Sequence, residues 1–280
     1  MWDEVTLRAR IADSRLRTRF PGASPDGSEI AIYEQAVSSL ASAGHALVLG
    51  MTPELRQMAG RRFDRLTSVD SNALAIDLYC DWVDPDLSES IVCEDWRSFL
   101  RRNPASFSVV LGDGIFGNVA GEAECTELVG LIARSLRPNG RFVTRMALVP
   151  DDFRPVDWRF AALLQQFRQG KIDNAEFGLT ARLFGFFETA YDESTSVLDN
   201  RQVYAAVDVA AAAGDISAAE LEVLRAFSYS GRNFLPDQRE WESILESEGI
   251  AFRESSLHGK LWHDYYPVYE CFGPMIAVTP

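Results

Sequence analysis

The chain has 280 residues, of which 47% are hydrophobic and 24% are charged, and its net charge is −14 at pH 7. An apolar fraction of this size is ordinary for a globular protein and excludes disorder over most of the chain. The strong negative charge disfavours nucleic acids and anionic membrane surfaces as partners, because both would repel the protein.

The cysteines are scattered and form no Cys-x-x-Cys pair: Cys80, Cys93, Cys125 and Cys271. This pattern predicts reduced, buried thiols and favours neither a zinc site nor a disulfide framework. No stretch approaches the roughly 18 apolar residues that span a bilayer, and the first residues lack the apolar segment of a secretion signal. We therefore expect a cytoplasmic protein that binds no metal.

Residues 1–45 are expected to form an N-terminal helical arm or lid. The first part is amphipathic, and its arginines are Arg8, Arg10, Arg15, Arg17 and Arg19. They would either contact an anionic acceptor or form a solvated face paired with nearby acids. After a turn-rich loop at 20–27, Ser28 is the expected N-cap of a helix over 29–43, with Tyr33 and Val37 on its apolar face.

Short apolar runs alternate with helical segments over residues 46–150. The runs are predicted strands, at 46–49, 65–69, 90–93, 107–111 and 140–146. The segments between them are predicted helices, at 53–61, 71–80, 95–102 and 121–137. Near-continuous apolar strands that alternate with helices indicate a parallel sheet covered on both faces.

The alternation stops after residue 150. Residues 151–236 are predicted to be a helical cap, inserted between the fifth and sixth strands of the sheet. Helical patterning continues to 247, so 237–280 would supply a last core helix and two final strands, at 250–257 and 266–273. The aromatic residues of the cap either pack in its core or line an acceptor pocket: Phe184, Phe186, Phe187, Tyr191 and Tyr229.

The first predicted strand ends at the sequence Gly50-Met51-Thr52-Pro53-Glu54. Ligands of open parallel sheets bind beyond the carboxyl ends of the strands, and a glycine there permits a tight turn. Thr52 fits the N-cap and Pro53 the first position of the next helix. The corner lacks the glycines and lysine of phosphate loops. A carboxylate in the first helical turn, Glu54, would repel phosphate and favour a cationic ligand.

Asp70 ends the second strand, 20 residues after Gly50, and Ser71 follows it. A carboxylate at this position and spacing accepts hydrogen bonds from ribose hydroxyls. The alternative is that Asp70 caps the helix over 71–80.

Two further acidic segments end the third and fourth strands. Asp95 and Trp96 could bind an adenine amino group and stack on its ring, or could be a helix cap and a partly buried aromatic. Asp113 stands beside Gly114, where the backbone could approach a ligand or simply turn. Asp113 is also a candidate general base or acceptor-binding residue.

In this order, the segments resemble the motifs of class I S-adenosylmethionine-dependent methyltransferases. The Gly50 corner stands at the glycine-rich first motif, Asp70 at the ribose-binding acid, Asp95-Trp96 at the adenine-contacting motif, and 111–114 at the fourth motif. Residues 136–140 match the Leu-x-Pro-Gly-Gly turn that leads into the fifth strand. The resemblance covers about 46–147 and 237–273.

The resemblance implies a Rossmann-like α/β fold with a seven-stranded, mostly parallel sheet, whose antiparallel strand would come from 266–273. It implies S-adenosylmethionine as the cofactor and S-adenosylhomocysteine as the product. The expected cofactor-binding residues are Gly50, Met51, Thr52, Glu54, Asp70, Ser71, Asp95, Trp96, Asp113 and Gly114.

The first motif departs from the family pattern. Val48 occupies the position of the usual acid, and Gly50 is the one glycine that remains of three. These groups normally contact the methionine part of the cofactor. Glu54 is a candidate replacement on charge grounds, as partner of the ammonium or the sulfonium.

The resulting expectation is methyl transfer to an oxygen, nitrogen or carbon atom of a small molecule, with neither nucleic acid nor membrane as partner. Two alternatives remain: a methyltransferase fold that only binds or scaffolds, and an aminopropyltransferase that uses the decarboxylated cofactor. His258 and His263 flank an aromatic-rich loop between the last two strands and are candidate bases, or are solvated loop histidines.

Overall fold

The computed structural model describes residues 22–229 and 231–273. The strands in these ranges are β1 (His45–Leu49), β2 (Arg65–Asp70), β3 (Glu89–Cys93), β4 (Phe107–Asp113), β5 (Leu136–Arg145), β6 (Tyr191–Asp192), β7 (Val197–Asp199), β8 (Arg232–Phe234), β9 (Ala251–Ser255) and β10 (Val268–Phe272). The helices are α1 (Gly27–Val37), α2 (Pro53–Arg62), α3 (Ala73–Tyr79), α4 (Trp96–Arg102), α5 (Glu122–Ser135), α6 (Pro155–Trp158), α7 (Phe160–Arg168), α8 (Asn174–Thr180), α9 (Phe187–Ala190), α10 (Asn200–Ala213), α11 (Ala218–Ala226) and α12 (Gln238–Ser247).

Seven strands form one sheet in the order β3-β2-β1-β4-β5-β10-β9. The first five strands pair in parallel. β10 runs antiparallel to both β5 and β9. The predicted Rossmann-like α/β sheet is therefore confirmed, and 266–273 contains its antiparallel strand.

Helices cover both faces of the sheet because its central strands are apolar on both sides. In β1, Leu47 and Leu49 join a buried cluster that includes Trp241 of α12 and several residues of α5. Ala46 and Val48 point to the opposite face and join the cluster that contains residues of α1 and α2. The two faces explain why the strand is a continuous apolar run.

The N-cap of the first described helix lies two residues before the one that the sequence predicts. Asp26, not Ser28, is the N-cap of α1, and its carboxylate accepts hydrogen bonds from the backbone of Ser28 and Glu29. Glu29 returns a hydrogen bond to the Asp26 backbone, which completes a capping box. The helix ends at Val37 instead of residue 43. The arginine-rich part of the proposed arm, 1–21, lies outside the described residues.

The predicted turn at 136–140 is built into the start of β5. Leu136 pairs with Phe107 of β4, but the next pair joins Arg141 to Val109, so the intervening residues bulge out of the ladder. Asn139 adopts φ +61 within this bulge. The turn residues thus interrupt the register without ending the strand.

The insertion between β5 and β9 is not purely helical. Its helices accompany a three-stranded antiparallel sheet in the order β6-β7-β8, so the prediction of a helical cap over 151–236 is wrong for these strands. Strands of two or three residues are too short to show an alternating pattern in the sequence. Within the described ranges, we find no helix with the length and apolarity needed to cross a bilayer.

Candidate functional site

The carboxyl ends of β1 to β4 open onto a cavity of about 380 Å³. Most residues expected to bind the cofactor line it: Gly50, Met51, Thr52, Glu54, Asp70, Ser71, Asp95, Trp96 and Asp113. Gly114 lines a second, adjoining cavity instead. We call these the larger and the smaller cavity. The strand-end residues singled out in the sequence therefore meet at one edge of the sheet.

The corner after β1 needs a glycine. Gly50 has φ +96, a left-handed conformation that residues with a Cβ rarely adopt, and its N–H donates to the carbonyl of Val69 at 2.8 Å. Thr52 occupies the N-cap of α2, without a side-chain capping bond, and Pro53 is at the start of the helix. The backbone can therefore turn sharply at the cavity wall.

Glu54 lines the larger cavity, and one of its carboxylate oxygens has no partner among the described residues. Its Oε2 is buried and has no hydrogen-bond partner, and no described cation forms an ion pair with it. Burial raises the pKa of Glu54, and the negative charge of Asp113 raises it further. A buried carboxylate without a partner is a position that a cationic ligand would stabilise.

Asp70 is held with one oxygen engaged. Its Oδ1 accepts a hydrogen bond from the backbone of Asn72 at 2.8 Å, while Oδ2 accepts none from the described residues. Asn72, not Asp70, caps α3, by accepting from the backbone of Leu74 and Ala75. Burial raises the pKa of Asp70. Its free oxygen at the cavity wall suits hydroxyl donors.

Asp95 and Trp96 are fixed by local hydrogen bonds. Asp95 is the N-cap of α4 and accepts from the backbone of Ser98 at 3.0 Å, so its capping role is confirmed. The indole N–H of Trp96 donates to the carbonyl of Val69 at 2.8 Å. This bond holds the Trp96 ring at the cavity wall, close to Gly50.

Asp113 belongs to a buried ion cluster that the sequence analysis did not identify. The Arg145 Nε lies 2.7 Å from Asp113 Oδ1, and its Nη1 lies 2.7 Å from Glu29 Oε1. The three side chains are at most 5% exposed. Burial raises the pKa of Asp113, against the opposing effect of Arg145. Burial disfavours the charge of Arg145, but the two carboxylates hold its pKa above the ordinary value.

The same cluster joins α1 to the sheet. The Tyr33 hydroxyl donates to the carbonyl of Gly112 at 2.7 Å and accepts from the backbone of Arg145 at 2.8 Å. One feature of the sequence points to this ion cluster: an arginine, Arg145, lies inside the apolar run of β5. A charged residue in a strand that is covered on both faces needs buried partners of opposite charge.

Neither candidate base is among the residues that line the two cavities. His258 is exposed. His263 is buried, and its Nε2 lies 3.8 Å from Asp26 Oδ2 at the start of α1. The loop that carries them folds against the insertion, where the backbone of Leu261 donates to Glu176 at 3.0 Å.

The smaller cavity, of about 100 Å³, shares Ala23, Asp113 and Asn118 with the larger one. Tyr266 and residues of the insertion form its other walls. Tyr229 lines it, whereas the other aromatic residues named for the cap pack in hydrophobic clusters: Phe184, Phe186, Phe187 and Tyr191. The two cavities meet at Asp113.

No group of three metal-ligating side chains occurs in the described part of the chain. No protein-family model matches the chain, and no curated protein is found as a relative.

Several solved structures share the fold. An amino pentose methyltransferase from Micromonospora echinaspora, solved with S-adenosylmethionine, has a TM-score of 0.55 at 13% identity over 98% of each chain. An N-methyltransferase from Bradyrhizobium japonicum, solved with S-adenosylhomocysteine, has a TM-score of 0.51 at 12% identity over 96% of this chain and 97% of that one. A candidate Zn-dependent alcohol dehydrogenase from Rhodobacter sphaeroides has a TM-score of 0.62 at 17% identity over 98% and 100%.

At these identities the likeness shows the fold alone, and the neighbours' different activities do not transfer by similarity. The chain shares its Rossmann-like fold with two methyltransferases that were solved with S-adenosylmethionine or S-adenosylhomocysteine.

Proposed function

We propose that the chain binds S-adenosylmethionine in the larger cavity and methylates a small-molecule acceptor. The observation that carries this proposal is the convergence of the Gly50 corner, Asp70, Trp96 and the unpaired Glu54 on one cavity. Two neighbours of the same fold are methyltransferases that were solved with the cofactor or its product.

The residues present fit the cofactor group by group. The free oxygen of Asp70 would accept hydrogen bonds from the ribose hydroxyls. Trp96 would stack on the adenine ring, with Asp95 near the amino group. Glu54 would neutralise the ammonium or the sulfonium of the methionine part, in place of the acid that Val48 replaces.

The cofactor supplies a methyl group on a cationic sulfur, and this charge disperses during transfer. The contribution of the protein is therefore alignment of acceptor and methyl group, and such positioning can be worth roughly 7–11 kcal/mol. A hydroxyl or carbon acceptor also requires a base. Asp113 is the carboxylate that stands between the two cavities, so it replaces the two histidines as the better-placed candidate.

One observation favours a non-catalytic alternative. Val48 is fully buried in β1 and cannot contact the cofactor as the usual acid would. A protein that relied on Glu54 alone could retain binding and lack turnover.

Product analysis separates the candidate functions. The purified chain is incubated with S-adenosylmethionine or its decarboxylated form and a panel of small hydroxyl, amine and carbon acceptors. Acceptor-dependent S-adenosylhomocysteine supports the methyltransferase. Methylthioadenosine from the decarboxylated form would identify an aminopropyltransferase. Tight cofactor binding with no product across the panel would favour the binding protein.

A further inference from the structure

Arg182 is a cation on the wall of the smaller cavity, and no described residue offers it an anionic partner. It lies on a π-helix, Ala181–Gly185, that continues from α8. Its Nε is buried without a hydrogen-bond partner, and no carboxylate of the described residues forms an ion pair with it. Its guanidinium carbon lies 5.9 Å from the centre of the Tyr229 ring.

Other arginines of the insertion contrast with Arg182. They are exposed, and each pairs with a carboxylate: Arg159 with Glu188, Arg168 with Glu220, Arg201 with Asp199, and Arg225 with Asp208. Acidic residues exceed basic ones in this chain, with 41 against 27. An arginine at a cavity that pairs with no carboxylate of the described residues, despite this excess, is in a position to bind an anion from a ligand.

Apolar and aromatic side chains form part of the smaller cavity, beside the polar side chains of Asp113, Asn118 and Asn233. The apolar and aromatic side chains include Leu179, Leu183, Phe227, Phe234 and Tyr266. Its volume of about 100 Å³ suits a single ring better than a long chain. Short π-helical segments, such as the one that carries Arg182, are frequent at functional sites.

We propose that the smaller cavity is the acceptor site and that it takes an aromatic carboxylate. Arg182 pairs with the carboxylate, and the ring lies among the aromatic walls. The opposite end of the ring then points toward Asp113, where the two cavities meet. This assignment rests on the proposed function for the reaction, but the anion site itself can be tested by binding alone.

The test compares benzoate with benzamide, which has nearly the same shape and no charge. Dissociation constants are measured by NMR titration of the full chain, with and without S-adenosylhomocysteine. We expect benzoate to bind the wild type at least tenfold more tightly than benzamide. Arg182→Gln should abolish this preference, and Arg182→Lys should retain part of it, because lysine keeps the charge without the planar fork.

Arg159→Gln is the matched control, since it removes an exposed arginine of the insertion that pairs with Glu188. It should leave the preference unchanged. Equal binding of benzoate and benzamide to the wild type would overturn the proposal, as would an unchanged preference in Arg182→Gln. If that variant does not fold, the wild-type comparison and Arg182→Lys decide.

The titration also separates this proposal from the proposed function. Benzoate preference without S-adenosylhomocysteine binding would leave the anion site standing and remove the methyltransferase assignment. Binding of S-adenosylhomocysteine without a preference for benzoate would remove the anion site and leave the methyltransferase assignment standing.

Discussion

At the scale of single residues, two side chains of opposite charge line neighbouring cavities, and neither forms an ion pair with another described residue. Glu54 lies on the larger cavity and Arg182 on the smaller one. A buried charge without a partner lowers stability, and such groups persist where a ligand supplies the missing partner. The two side chains therefore indicate ligand groups of opposite charge: a cation beside Glu54 and an anion beside Arg182.

Glu54→Gln should stabilise the free protein and weaken cofactor binding. Burial raises the pKa of Glu54, so the folded protein favours its protonated carboxyl group. The contribution of that protonated group to stability is present at low pH and is lost as the pH rises through the raised pKa. At neutral pH, the variant should therefore melt at a higher temperature, by about 2–4 °C for each kcal/mol gained. The stabilising effect should shrink as the pH falls below the raised pKa.

Binding by the same variant shows which cation Glu54 pairs with. A loss for both S-adenosylmethionine and S-adenosylhomocysteine would identify the ammonium, which both carry. A loss for S-adenosylmethionine alone would identify the sulfonium. Unchanged calorimetric affinity for both would remove Glu54 from the cofactor site.

Asp70→Ala should weaken cofactor binding at least tenfold, or about 1.4 kcal/mol, because the ribose hydroxyls lose their acceptor. Asp64→Ala is the control, since Asp64 is exposed and precedes the same strand at its opposite end. Isothermal titration with S-adenosylhomocysteine compares the two variants. An affinity of Asp70→Ala equal to that of the control would disprove the ribose assignment.

At the scale of elements, the end of β4 lies at the boundary between the cavities, because Asp113 lines both. Gly114 follows β4 with φ +58, and a Cβ at this position would collide with the Tyr266 hydroxyl. Gly214 ends α10 with φ +78, but a Cβ there would meet no neighbouring atom. Replacing either glycine by alanine therefore strains the backbone, but only the replacement of Gly114 also creates a steric clash.

Gly214→Ala should cost about 1–2 kcal/mol, the penalty for a left-handed alanine. Gly114→Ala should lower stability by more, because Tyr266 must also move. Thermal unfolding followed by circular dichroism measures both losses. Equal losses would show that Tyr266 does not restrain this turn.

The sequence could predict elements whose signals are local. Gly50 and Asp70 were found because apolar runs show where strands end, and ligand sites of such sheets lie at those ends. The prediction of Ser28 as the N-cap is wrong. Asp26 and Ser28 can both cap a helix and are two residues apart, and the capping box with Glu29 forms at Asp26. The role of Arg145 could not be predicted from local sequence, because it contacts Tyr33 and Glu29, which lie 112 and 116 positions away in the chain.

At the scale of the whole molecule, the order of strands places the cofactor residues, and the insertion closes the smaller cavity. The parallel order was predictable because covered strands are apolar throughout and alternate with helices. The small sheet β6-β7-β8 was not, since its strands are stabilised by packing within the insertion and not by a pattern of their own. Arg182 and Tyr229, which this insertion brings to the smaller cavity, depend on that packing.

The central claim is that the larger cavity binds S-adenosylmethionine despite the altered first motif. Calorimetric titration of the full chain with S-adenosylmethionine and S-adenosylhomocysteine tests it most directly. The structure predicts micromolar dissociation constants, equivalent to about −8 kcal/mol. No binding of either compound at millimolar concentration to the folded protein, with benzoate absent or present, would contradict the claim.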